Sequence, residues 1–145
     1  KLWSPVNGKT IKPEINWHKE LSLSNWPYQD ELTMIQLNGT PKINEVVFYH
    51  KKSRSLIVAD LCFNFVDPKG VGAWIILNLF GTYKKLATSK FFLRFVNDKD
   101  AFEKSLGEVL SFDFENIIVG HGDNVIGDGK NKLLNALKER GLNPL

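Results

Sequence analysis

Two places in the chain put an ionisable side chain directly after an apolar, β-rich run: Asp60 after Leu56-Ile57-Val58-Ala59, and His121 after Ile117-Ile118-Val119-Gly120. A strand that ends on a polar group delivers it with little conformational freedom, which is what a metal or catalytic site requires. A carboxylate and an imidazole offered from adjacent strand ends suit a zinc, iron or manganese ion. Gly120 and Gly122 flank His121 and permit a sharp turn or a close approach. Asp123 follows at a distance that lets it accept from an imidazole N–H or orient a water. The same residues also have an ordinary reading. A strand-terminal aspartate commonly caps a turn, and a histidine between two glycines is usually solvated or hydrogen-bonded. Metal ligation and turn formation therefore both stand on these residues.

Other reactive side chains point elsewhere. His18 sits in the polar segment "WHKE" and His50 opens a basic loop, so both read as surface residues. The single cysteine, Cys62, excludes an internal disulfide and a cysteine-based zinc knuckle, and it reads as a small buried apolar group. There is no G-x-S-x-G elbow, no P-loop and no G-x-G-x-x-G, which removes the nucleophile-elbow and nucleotide-cradle classes. The net charge is +3, from 19 basic and 16 acidic residues. That surplus is small, and its densest clusters, Lys51-Lys52-Ser53-Arg54 and Lys84-Lys85, lie beside turns, so nucleic acid is not an expected partner.

The elements that must carry these residues follow from periodicity. "ELTMIQL" (31–37) alternates as a strand and ends at the turn Asn38-Gly39. "EVVFYH" (45–50) and "SLIVADL" (55–61), joined by four polar residues, predict an antiparallel hairpin. The second arm is apolar on both faces at Leu56 to Ala59, so it should be a central, covered strand ending at Asp60. Residues 70–83 are dense in Ala, Trp, Ile and Leu and predict a mostly buried helix. A second helix should begin after Asn97 or Asp98, with Ala101/Phe102, Ser105/Leu106 and Val109/Leu110 on one face. "FENIIVG" (114–120) predicts a short buried strand. A last helix should run from a cap at Asp128, along Leu133, Leu134 and Leu137, to Gly141. Residues 1–30, with Pro5, Gly8, Pro13 and Pro27 and three tryptophans, suggest irregular segments pinned by large aromatics.

A length of 145 residues with 43% hydrophobic composition suits one domain. The longest apolar stretch, 70–80, falls short of the ~20 residues a spanning helix needs, so no membrane span and no membrane partner is expected. The lone cysteine and the lack of a secretory leader suit a cytoplasmic location. The opening "KLWSPVNGK" carries no initiator Met, which suggests a chain that begins inside something larger.

The run from Leu37 to Asn64, "LNGTPKINEVVFYHKKSRSLIVADLCFN", resembles the later part of the metallo-β-lactamase fold, in which a strand, a glycine-containing loop and a hairpin lead to an aspartate. "IIVGHGD" followed by a helix is similar to the last metal-ligand segment of that superfamily. The likeness is to an uncharacterised branch, in which Glu45 follows the loop and the hairpin turn precedes a Leu-Ile-Val-x-Asp-Leu run. It implies an α/β fold, the C-terminal half of an αββα sandwich, with a mixed sheet and helices on the outer face. Residues 1–145 would be a single partial domain without its N-terminal half. Asp60 would match the metal-bridging aspartate and His121 the final histidine ligand. Asp123 would be the catalytic residue that orients water, in a metal-dependent hydrolase of unknown substrate using zinc, iron or manganese. Two departures open an alternative. The His-x-His-x-Asp-His cluster of the superfamily has no counterpart here, and Gly39-Thr40-Pro41 stands where a loop histidine is usual. A non-catalytic member of the fold, kept for binding or assembly and with no metal in this chain, is that alternative. In either case the resemblance implies an apolar inner sheet face to be covered by the missing half, a second chain or another copy, with the early tryptophans folding over part of it.

Overall fold

A computed structural model describes residues 2–4, 8–22 and 24–144 of the chain; Lys1 and Pro5 lie outside them. Its centre is a four-stranded mixed sheet. The strands are β3 (Leu32–Gln36), β4 (Val46–His50), β5 (Ser55–Val58) and β8 (Asn116–Val119), in the order β3-β4-β5-β8. The pairs β3/β4 and β4/β5 are antiparallel, while β5/β8 is parallel. The expected hairpin is present with its four-residue loop, and β5 is central as its two-sided apolar run required. Arg54 fixes the loop by pairing with Asp113 and Glu115, both at 2.7 Å, beside the entry to β8.

Alternation gives the sheet two faces. Ile35, Val47, Tyr49, Leu56 and Ile117 point to one side and are buried. Helices α4 (Lys99–Ser111) and α5 (Gly129–Lys138) join them in one core through Phe102, Leu106, Val109, Leu133 and Leu137. Asp98 is the N-cap of α4 and accepts from the Ala101 N–H at 3.0 Å, which settles the choice between Asn97 and Asp98. Asp128 holds the N-cap position of α5 but in a left-handed conformation. Its carboxylate accepts from Asn131 Nδ2 rather than from a backbone amide.

On the other face the register aligns Met34, Phe48, Ile57 and Ile118 in one row across all four strands. Trp26 packs on Phe48, with ring centroids 5.3 Å apart, and Trp3 meets Trp26 edge-on at 5.7 Å. Trp26, with Trp3 against it, thus covers part of this second face, whereas Trp17 donates to the Lys12 carbonyl at 3.0 Å instead. Phe48, Ile57 and Ile118 stay half-buried.

Two short strand pairs and two helical turns fill in the described residues around this sheet: β1 (Trp3–Ser4) with β2 (Lys19–Glu20), β6 (Phe63–Asn64) with β7 (Leu86–Ala87), and the turns α1 (Gly8–Ile11) and α3 (Lys90–Leu93). Helix α2 (Val71–Phe80) corrects an expectation. It forms where the composition placed it, yet Leu77 is its one buried residue, and Val71, Trp74, Ile75, Ile76 and Leu79 are exposed. It packs chiefly against α3 rather than into the core.

Candidate metal centre

The parallel pairing of β5 with β8 sets Val58 opposite Val119. Each strand then runs two residues further, to Asp60 and to His121, so the shared register brings the two side chains to the same end of the sheet. The His121 Nε2 lies 3.2 Å from Asp60 Oδ1. Both side chains are about half exposed, 52% for His121 and 50% for Asp60, which leaves room for a further group to approach. The imidazole is held flat against the Phe63 ring, with centroids 4.9 Å apart and planes 18° from parallel.

The turn that carries His121 is tied down on its far side. The Asn64 N–H donates to the His121 carbonyl at 3.1 Å, and the Asp123 N–H donates to the Asn64 carbonyl at 2.6 Å. Gly122 sits between them at φ +98°, and a Cβ there would lie 2.2 Å from the Asn64 carbonyl oxygen. Only glycine lets β8 and β6 approach this closely. One carboxylate oxygen of Asp123 accepts from the Val66 N–H at 3.1 Å, so this residue also stitches the β6 segment to the turn.

Beneath Asp60 lies a carboxylate that sequence reasoning did not assign to the site. Glu45 is 5% exposed, and its two oxygens accept from the Ala59 N–H at 3.0 Å and the Asp60 N–H at 3.1 Å. It clamps the backbone just where β5 hands over to Asp60. Burial pushes its pKa up to about 7, against the lowering effect of the backbone amides it accepts from. The available signal was an acidic residue placed immediately before the apolar run Val46-Val47-Phe48, where a buried strand would not ordinarily carry one.

The remaining candidates stay local. His18 Nδ1 accepts from the Leu2 N–H at 2.9 Å, and His50 Nδ1 meets Ser53 Oγ at 2.7 Å. Cys62 is fully buried, and burial pushes its thiol pKa up, away from the thiolate a metal would need. Thr40 is 2% exposed and donates from Oγ1 to the Leu37 carbonyl at 3.3 Å.

As a metal site, the pair fits in part. Two donors each about 2.1 Å from one ion lie roughly 3.0–3.4 Å apart, and the observed 3.2 Å falls in that range. Among the described residues, however, no group of three His, Cys, Asp or Glu side chains is placed to hold an ion. Asp60 and His121 therefore suit two positions of a larger ligand set.

No protein-family model and no curated protein matches the chain. Among solved structures it is similar to DIM-1 metallo-β-lactamase, from a crystal exposed to ceftazidime, with 15% identity and a TM-score of 0.54. The likeness covers 95% of this chain and 56% of that one, so the chain spans little more than half the length of the structure it matches. At this identity the likeness shows the fold: a mixed α/β arrangement of the metallo-β-lactamase type.

Proposed function

We propose that this chain is the part of a metallo-β-lactamase-fold hydrolase that contributes Asp60 and His121 to a metal centre whose other ligands come from outside the described residues. The observation that carries the reading is the meeting of these two side chains at 3.2 Å at one end of the sheet. A zinc, iron or manganese ion, if held there, would supply Lewis-acid activation of water for attack on a carbonyl or phosphoryl centre. The chain's own residues do the positioning. Asp60 offers a carboxylate from a backbone clamped by Glu45, and His121 offers an imidazole whose ring plane is set by Phe63. Asp123, whose carboxylate accepts from the Val66 N–H beside the same turn, would orient the attacking water.

The test is elemental analysis of the complete protein beside His121→Ala and Asp60→Asn. Stoichiometric metal in the parent and at least a tenfold weaker affinity in each variant are expected. A parent protein without bound metal overturns the reading. It would leave the second one, a non-catalytic fold kept for binding or assembly. Thr40 favours that second reading, because the residue in the loop where a histidine ligand is usual is buried and bonded to its own turn.

A further inference from the structure

We propose that helices α2 and α3 form a docking surface for an anionic lipid membrane, a partner not expected from a sequence without a spanning segment. Val71, Ile75 and Leu79 lie four residues apart on α2 and make one exposed line along it, 74%, 53% and 68% accessible respectively. Trp74 flanks that line and Phe91 of α3 extends it, both half exposed. Helix α2 carries no charged residue at all. A contiguous apolar surface of this kind marks an interaction site in a globular protein.

Charge identifies the occupant. The segment 68–97 holds Lys69, Lys84, Lys85, Lys90 and Arg94 and not one carboxylate. The rest of the chain is therefore net negative, since the whole is only +3. Lys69 and Lys85 are paired with Asp67 and Glu139. Lys90 and Arg94, one turn apart beside Leu79 and Phe91, have no carboxylate partner among the described residues. An apolar helix bearing a tryptophan, with two unpaired cations beside its C-terminal end, matches the chemistry of an anionic bilayer surface, where the side chains enter the acyl boundary and the cations meet the headgroups. At ten residues α2 is about 15 Å long, enough to lie in that boundary and too short to cross it.

Other occupants fit less well. A second copy would bring Lys90 and Arg94 against their own counterparts. A second sheet of the fold has its place on the Met34–Phe48–Ile57–Ile118 face, whereas α2 packs on α3. The proposal is independent of the metal reading, so either can fail without the other.

The experiment is co-sedimentation of the whole chain with phosphatidylcholine vesicles, with and without phosphatidylserine. Partitioning should be at least roughly tenfold stronger with phosphatidylserine and should weaken as salt is raised. The bound chain should show a blue-shifted tryptophan emission that Trp74→Phe removes. Ile75→Glu/Leu79→Glu should abolish binding, and Lys90→Gln/Arg94→Gln should reduce it by about tenfold or more. All four side chains are exposed, so circular dichroism and thermal midpoints should match the parent. Four results would each overturn the proposal: no partitioning into either vesicle, equal partitioning into both, a dimer that Leu79→Glu dissolves, or RNA displacing the vesicles.

Discussion

At the scale of single residues, the geometry of the candidate centre depends on Glu45 as much as on the side chains that would touch a ligand. Its carboxylate is held among apolar neighbours by the amides of Ala59 and Asp60. Burial raises its pKa from 4.5 to about 7, so between those values the folded chain holds a proton that the unfolded chain has released. The stabilisation this provides is complete below about pH 4.5 and is lost as pH rises through about 7. Its size is on the order of 3 kcal/mol at most. Glu45→Gln should flatten the fall in urea midpoint between about pH 5 and pH 8, measured with a chelator present. An equal slope in parent and variant would refute the assignment. Asp60 and His121 were legible in the sequence because each ends an apolar run that fixes its direction. Glu45 was not legible, because its partners are backbone amides on the next strand, 14 and 15 residues away. An acidic residue ahead of an apolar run marks the position as unusual, but only strand register decides which amides it meets.

At the scale of elements, the turn after β8 couples two strands that the sequence did not show to be neighbours. Gly122 lets the Asn64 carbonyl approach, and the resulting bonds to His121 and Asp123 hold β6, with Phe63, against the imidazole. Gly122→Ala should cost about 2 kcal/mol or more in urea unfolding, since it meets both an unfavourable φ and a backbone oxygen. If Asp60 and His121 hold a metal as proposed, it should also weaken metal affinity along with stability, whereas a conservative change at exposed Ile126 should do neither. The hairpin, α4 and α5 were readable from periodicity, and α4 also from its Asp98 cap, because their apolar positions face one core. The two-residue strands were not, since they are too short to show a period. Helix α2 was readable as a helix and misread in its burial. An apolar composition all round normally marks a core element, and only its packing on α3 reveals that most of its surface faces outward.

At the scale of the molecule, the sheet is finished on one side and only partly covered on the other. Core helices close the Ile35–Val47–Leu56–Ile117 side, while the opposite row, Met34–Phe48–Ile57–Ile118, is sheltered chiefly by Trp26 and the aromatics around it. A complete sandwich of this fold would set a second sheet there, in keeping with a chain that spans 56% of the structure it resembles. Trp26 would then act as a partial lid on an inner face, whereas Trp74 on α2 belongs to an outer surface. The two tryptophans separate these roles. Trp26→Ala should remove about 2–3 kcal/mol of stability, because it strips a ring from Phe48 and frees the Leu32 carbonyl that the indole N–H now reaches at 2.6 Å. It should also increase binding of a fluorescent apolar dye and promote association at higher concentration, as the uncovered row seeks a partner. Trp74→Ala, at an exposed position, should leave the urea midpoint within about 0.5 kcal/mol of the parent. If the two substitutions proved equally mild, Trp26 would be an incidental contact and the inner face would need no cover. A large effect confined to Trp26 would identify that row as an apolar surface whose cover the fold depends on.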